Sequence, residues 1–265
     1  MIGVLDSGVG GLSVLREIRA LLPGEDLVYV GDSAFCPYGA KSGEVLRERV
    51  GGIVEFLLGE GAEVIVMACN SATIQAVKWC REHWPEVPFV GMEPGVKPAV
   101  EATRSQVIGV LATEASLTGE MFADLVERCC HGCQVLTSPC PKFVELVEAG
   151  ALFGPEVDEA IWEYGGPLVM GGADVLVLGC THYPFLKSEI ARIFPEVTLI
   201  DTGGAVARRV GEVLGRGAEL EAREGAVSFY TSGSVEVMEG LLPKLLPEVR
   251  GQIAGLPLMA GGGAR

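Results

Sequence analysis

The stretch Ala62-Glu63-Val64-Ile65-Val66-Met67-Ala68-Cys69-Asn70 recurs as Ala173-Asp174-Val175-Leu176-Val177-Leu178-Gly179-Cys180-Thr181. In each copy an acidic residue is followed by an unbroken apolar run that ends in a cysteine. Such a run, with no alternation of polar residues, reads as a strand buried on both faces, the situation of a parallel sheet covered by helices. Two further stretches repeat at nearly the same spacing. Trp84-Pro85-Glu86-Val87-Pro88-Phe89-Val90 matches Phe194-Pro195-Glu196-Val197-Thr198-Leu199-Ile200, and Ile2-Gly3-Val4-Leu5 matches Ile108-Gly109-Val110-Leu111. The matches predict two related α/β units, residues 1–95 and 96–206. The C-terminal segment is expected to rejoin the first unit, giving a first domain of 1–95 plus 207–265 and a second of 96–206. In that segment Ala226 to Tyr230 predicts a strand and Val235 to Leu246 a helix, while Gly261-Gly262-Gly263 is expected to fray.

Outward from the repeat, Leu27 to Val30 adds another strand, and Leu12 to Ile18 and Val45 to Leu58 carry apolar residues at helical spacing. Strands alternating with helices predict doubly wound, mainly parallel sheets. In such sheets ligands bind beyond the carboxyl ends of the strands, so the duplication delivers one cysteine per unit to a site between them.

Composition sets the limits. The 265 residues carry 20 Lys+Arg against 35 Asp+Glu, a net charge of −15, which argues against nucleic-acid or anionic-membrane partners, since both need clustered cations. No apolar stretch approaches the roughly 20 residues of a membrane span, and the N-terminus lacks a basic signal-peptide region. A cytoplasmic protein is expected, and its eight cysteines are read as thiols.

Cys69 and Cys180 each close a strand and precede a predicted helix, where N–H groups and the macrodipole favour thiolate. Asp6-Ser7-Gly8-Val9-Gly10-Gly11 follows the first strand and resembles a phosphate loop, but the dinucleotide fingerprint needs glycine where Ser13 stands. Asp6 is either a helix cap or, beside two cysteines, a proton partner or ammonium ligand. Asp32 to Gly39 follows the second strand; Tyr38 and the Gly39 backbone offer donors for a carboxylate, and Lys41 reads as solvated surface. His182, two residues past Cys180, can pair with a thiol or a carboxylate. Glu148 is by default a surface helix charge. Cys129-Cys130-His131-Gly132-Cys133, with Cys140 beyond, fits no closed zinc spacing, and no metal is expected.

Asp6-Ser7-Gly8-Val9-Gly10-Gly11, Pro37-Tyr38-Gly39, Cys69-Asn70-Ser71-Ala72-Thr73, Cys140-Pro141 through Phe143-Val144 to Glu148, and Gly179-Cys180-Thr181-His182-Tyr183-Pro184 together resemble bacterial glutamate racemase, in order and over nearly the whole chain. The departures are Ser71, where the family usually has threonine, and the uncommon Cys36. The resemblance implies a cofactor-independent isomerase that makes D-glutamate for peptidoglycan, works as a homodimer and takes glutamate between its two domains. It assigns Cys69 and Cys180 as the two catalytic bases, with Cys69 acting on D-glutamate and Cys180 on L-glutamate. Asp6, Glu148 and His182 would assist them. Asp6, Ser7, Pro37, Tyr38, Gly39, Asn70, Ser71, Thr181 and His182 would hold the substrate.

Chemistry agrees with the resemblance. Racemisation removes a proton from one face of the α-carbon and returns one to the other, so it needs two acid/base groups on opposite sides. Donors around the α-carboxylate must then stabilise the carbanion. None of the six lysines lies in a strand-ending motif where pyridoxal phosphate would need its Schiff base. The rival readings are an aspartate or other two-thiol racemase, a redox or ligand-binding protein using the same cysteines, and a flavodoxin-like nucleotide binder.

Overall fold

In the computed structural model, which describes residues 1–216 and 224–257, Ile2 pairs with Val64 and Ile108 with Val175, so the sequence repeat is also a repeat of strand register. The first sheet contains β1 (Ile2–Asp6), β2 (Leu27–Gly31), β3 (Val64–Met67) and β4 (Phe89–Val90). The second contains β5 (Val107–Ala112), β6 (Gln134–Pro139), β7 (Val175–Leu178) and β8 (Thr198–Ile200). Their orders, β2-β1-β3-β4 and β6-β5-β7-β8, are the same. The first sheet is extended past β2 by β9 (Val227–Thr231) and β10 (Gln252–Gly255), and every pairing described is parallel.

Between the strands run α1 (Leu12–Leu21), α2 (Gly43–Gly59), α3 (Asn70–His83), α4 (Val96–Ala102), α5 (Glu114–Thr118), α6 (Glu120–Cys129), α7 (Pro141–Glu148), α8 (Pro155–Met170), α9 (Lys187–Ile193), α10 (Gly203–Leu214) and α11 (Val235–Leu245). Parallel neighbours require such crossovers. Because successive side chains point to opposite faces, each strand serves two cores. Ile2, Val4, Val64 and Val66 pack with α1, α10 and α11, whereas Leu5, Val28, Ile65 and Met67 pack with α2 and α3. In the second sheet Leu111, Leu176 and Leu178 face α7, α8 and α9, and Ile108, Val110, Val175 and Val177 face α4 and α6. One core thus continues from the first sheet into the second. Truncating any of these buried side chains to Ala would cost about 2–5 kcal/mol.

Two strands escape sequence reading. β6 is half exposed and ends in Thr137-Ser138-Pro139; β10 contributes only Ile253 and Ala254 as apolar side chains. Both are edge strands, which need no two-sided apolar run. The C-terminal segment does pair with the first sheet through β9. The expectation for Gly261 to Gly263 lies outside the described residues. Among those described, no helix is long and apolar enough to cross a membrane.

Candidate active site

Cys69 caps the N-terminus of α3, with its Sγ accepting from the Ala72 N–H at 3.5 Å and lying 3.9 Å from Ser7 Oγ. Asn70 and Ser71, buried in the first turn of the same helix, present their N–H groups and polar side chains at the carboxyl edge of the sheet. Cys180 follows β7 in the equivalent place, but a short 3-10 turn, Tyr183–Leu186, follows it rather than an α-helix. Its neighbour is instead an imidazole, with His182 Nδ1 3.6 Å from Cys180 Sγ.

The helix-terminus expectation for Cys69 needs correction. Burial pushes its thiol above the ordinary range and the nearby Asp6 carboxylate adds to this, and together they outweigh the Ala72 hydrogen bond. Cys69 therefore rests as a thiol. Asp6 is fully buried and its own acidity is weakened by desolvation, offset in part by His182. Its Oδ2 accepts from the Gly8 and Gly11 N–H groups at 3.2 and 2.9 Å, so it braces the loop and does not cap α1. Oδ1 has no partner among the described residues. A buried orphan acceptor of this kind is suited to a cation or a proton donor.

Glu148 ends α7, where the helix dipole disfavours a carboxylate. Three contacts compensate. His182 Nε2 lies 2.7 Å from Oε1, the Val9 N–H donates to the same oxygen at 2.8 Å, and the Cys36 thiol approaches it at 3.7 Å. Burial alone would push the Glu148 carboxyl above its usual range, but the contacts with His182, the Val9 N–H and Cys36 together outweigh it and hold the carboxyl below that range. For His182 burial opposes protonation, yet Cys180, Cys36 and Glu148 hold it well above the ordinary value. Glu148 is thus half-buried and paired, not the free surface charge that its helix position predicts.

The glycine-rich loop acquires a different meaning here. A Cβ at Gly8 would stand 1.9 Å from Glu148 Oε1, and one at Gly10 would stand 2.4 Å from His182 Nδ1. The loop lacks side chains so that the carboxylate and the imidazole of the other sheet can approach its backbone. No phosphate is needed to account for it.

Tyr38 also departs from expectation. Its hydroxyl donates to Asp32 Oδ2 at 2.6 Å, so its proton is committed there and not offered to a ligand. Arg49 Nη2 and Nε at 2.5 and 3.1 Å and Ser232 Oγ at 2.6 Å complete the surroundings of that buried carboxylate. The Arg49 guanidinium also lies 3.9 Å from the Phe35 ring centroid. This network ties the segment carrying Pro37, Tyr38 and Gly39 to α2 and to the turn after β9. Lys41 is exposed, as expected.

These groups converge on one small cavity of about 20 Å³. Ser7, Cys69, Asn70 and Ser71 line it from the first sheet, Pro37, Tyr38 and Gly39 from the loop after β2, and Cys180, Thr181 and His182 from the second sheet. Asp6 and Glu148 stand behind this lining. Thr113 and Val144 also line the cavity and were missed. The repeat itself carried the signal for Thr113, since it places Thr113 after β5 where Ser7 follows β1. Val144 lies on α7, which has no counterpart in the matched stretches. A wider cleft of about 790 Å³ passes Arg81, Glu93 and Arg209, but neither strand-ending thiol borders it. Cys129, Cys130, His131 and Cys133 form no metal-ligating group among the described residues.

Two thiols bordering one small cavity, backed by a carboxylate on one side and an imidazole on the other, can take and return protons at a carbon between them. Residues 2–210 match the model of the Asp/Glu/hydantoin racemase family. A glutamate racemase of Ectopseudomonas mendocina is 51% identical over 249 residues, 93% of this chain and 95% of that one. Among solved structures, Escherichia coli glutamate racemase in complex with L-glutamate superposes with a TM-score of 0.85 at 33% identity, covering 96% of this chain and 97% of that one. The Francisella tularensis glutamate racemase in complex with D-glutamate gives 0.83 at 28% identity, covering 98% of each. With its register repeat, its paired thiols and these likenesses, the chain belongs to the Asp/Glu/hydantoin racemase family and is an isomerase.

Proposed function

We propose that this chain interconverts L- and D-glutamate by moving one proton off the α-carbon and another onto its opposite face, with Cys69 and Cys180 as the two acid/base groups and no pyridoxal phosphate. The observation that carries the reading is that the two thiols, from equivalent ends of β3 and β7, border the same cavity. The names of the relatives support the substrate, and two of the similar structures hold opposite enantiomers of it.

In the L-to-D direction the Cys180 thiolate takes the α-proton and becomes a thiol. The electron pair left on carbon delocalises into the α-carboxylate, and the Cys69 thiol then protonates the other face and becomes a thiolate. The reverse direction exchanges the roles, so atoms and charge balance over the cycle. The α3 N-terminal N–H groups with Ser7, Asn70, Ser71, Thr113 and Thr181 supply donors for the substrate carboxylates. The unpaired Asp6 Oδ1 is suited to the ammonium group. His182, braced by Glu148, stands 3.6 Å from Cys180 Sγ and positions that thiol. The cavity admits about one water, so its lining side chains must move apart for glutamate to enter.

In this reading the product feeds peptidoglycan synthesis in the cytoplasm, and two copies associate. All eight cysteines are free, as a reducing compartment requires. The exposed Trp162 and Met170 of α8 offer apolar surface to a second copy. Chiral chromatography after incubation with L-glutamate or L-aspartate, without added cofactor, tests the substrate: racemic glutamate and unchanged aspartate are expected, and the opposite pattern would assign an aspartate racemase.

A further inference from the structure

We propose that Cys36, Glu148 and His182 form a zinc-binding site whose occupation stops turnover. The Cys36 sulfur, a Glu148 carboxylate oxygen and a His182 ring nitrogen all lie within 4.8 Å of one another, the group of three metal-ligating side chains found among the described residues. They come from three separate elements: the loop after β2, the end of α7 and the segment after β7. No sequence motif announces them, whereas the cysteine-rich stretch that does look like a metal motif comes to nothing.

The donor set suits Zn²⁺, which takes thiolate, imidazole and carboxylate in tetrahedral sites. With metal–sulfur distances of about 2.3 Å and metal–oxygen distances of about 2.1 Å, the sulfur–oxygen edge of such a tetrahedron is about 3.6 Å. Cys36 Sγ and Glu148 Oε1 already stand 3.7 Å apart. The Glu148–His182 edge is 2.7 Å and must widen by roughly 0.7 Å as the ion replaces the proton held there. Cys36 and Glu148 are only partly buried, which leaves an entry path, while His182 is buried and fixed. A water or a substrate carboxylate fills the fourth position.

Occupation takes His182 Nε2 and the Glu148 carboxylate away from each other. The imidazole–carboxylate pair behind Cys180 is then lost. Binding of the ion is independent of the proposed reaction; the loss of turnover rests on it.

The test uses the full-length chain freed of metal, with zinc added to one equivalent. X-ray absorption at the zinc edge is expected to show one sulfur at about 2.3 Å and the remaining ligands nitrogen or oxygen at about 2.0–2.2 Å. Glutamate racemisation should fall and return on adding EDTA. In Cys36→Ala, each rate referred to its own metal-free value, the zinc concentration for half inhibition should rise at least about tenfold, and Cys133→Ser should behave as the parent. Two sulfurs around the zinc would mean a donor set other than Cys36, Glu148 and His182 and would overturn the proposal. So would equal inhibition of Cys36→Ala and parent, or no zinc bound. One-sulfur binding through Cys36 in a chain that leaves glutamate unchanged would keep the site and refute the proposed reaction.

Discussion

His182 Nε2 and Glu148 Oε1 lie 2.7 Å apart, joining the end of α7 to the segment after β7, and the Val9 N–H from the first sheet donates to the same oxygen. The Val9 bond ties the first half of the molecule to this pair, directly behind Cys180. The pair also carries a pH signature. The lowered Glu148 value contributes stability that is present above the ordinary carboxyl value of 4.5 and lost as pH falls through the folded value. The raised His182 value contributes stability that is present below the ordinary 6.5 and lost as pH rises through the folded value. The pair is therefore worth most between these two pH values. Glu148→Gln should destabilise by about 3 kcal/mol in that window and less on either side, as read from urea midpoints across pH. A constant loss at every pH would deny the pairing.

Gly10→Ala tests the position of the imidazole from the other side. The added methyl would lie 2.4 Å from His182 Nδ1 and 2.6 Å from Thr181 Oγ1, so His182 must move. The turnover number should fall by about a hundredfold or more, with the fold kept by circular dichroism. Full activity would show that His182 need not stand where it does.

Thr113, which sequence reading missed, should act chiefly on binding. Thr113→Val removes from the cavity wall a hydroxyl that also caps α5 by accepting from the Ser116 N–H at 3.3 Å, so Thr113→Ser, which keeps the cap, serves as its control. Loss of one hydrogen bond to a charged group, about 1.5–3 kcal/mol, should raise KM for glutamate tenfold or more and change kcat less. A fall in kcat at constant KM would move Thr113 into the chemistry.

Cys69 is pushed up by burial and by Asp6, so its ionisation should be visible where it works alone. In Cys180→Ser, elimination from a D-configured β-substituted glutamate depends on the Cys69 thiolate. Its rate should still be climbing above the ordinary thiol value of about 8.5, and Asp6→Asn in the same background should shift the rise to lower pH. In the parent enzyme the thiol pair should give a bell-shaped profile with constants belonging to the pair.

The two repeated strands and their cysteines were legible because a strand buried on both faces leaves an unbroken apolar run, and because the repeat marks equivalent strand ends. The same logic extended to Thr113 would have found it. β6 and β10 were not legible, since an edge strand with Gln134, Thr137 and Ser138 or with Gln252 has only one covered face. The role of Asp32 as the anchor of Tyr38 was hidden because its partners Arg49 and Ser232 come from α2 and from the far C-terminal segment. Burial of Cys69 reversed the helix-terminus argument for its acidity, and burial is a tertiary quantity that a local motif does not contain.

The most direct test of the two-thiol account is proton NMR in deuterated buffer, with each glutamate enantiomer offered separately to the parent, Cys69→Ser and Cys180→Ser, and with the β-substituted enantiomers alongside. The parent should exchange the α-proton of both glutamates without added cofactor, and both variants should lose racemisation by at least about a thousandfold. Cys69→Ser should still eliminate from the L form and Cys180→Ser from the D form. Variants that keep full racemisation, or that both eliminate from the same enantiomer only, would contradict thiols acting on opposite faces and return both cysteines to structural roles.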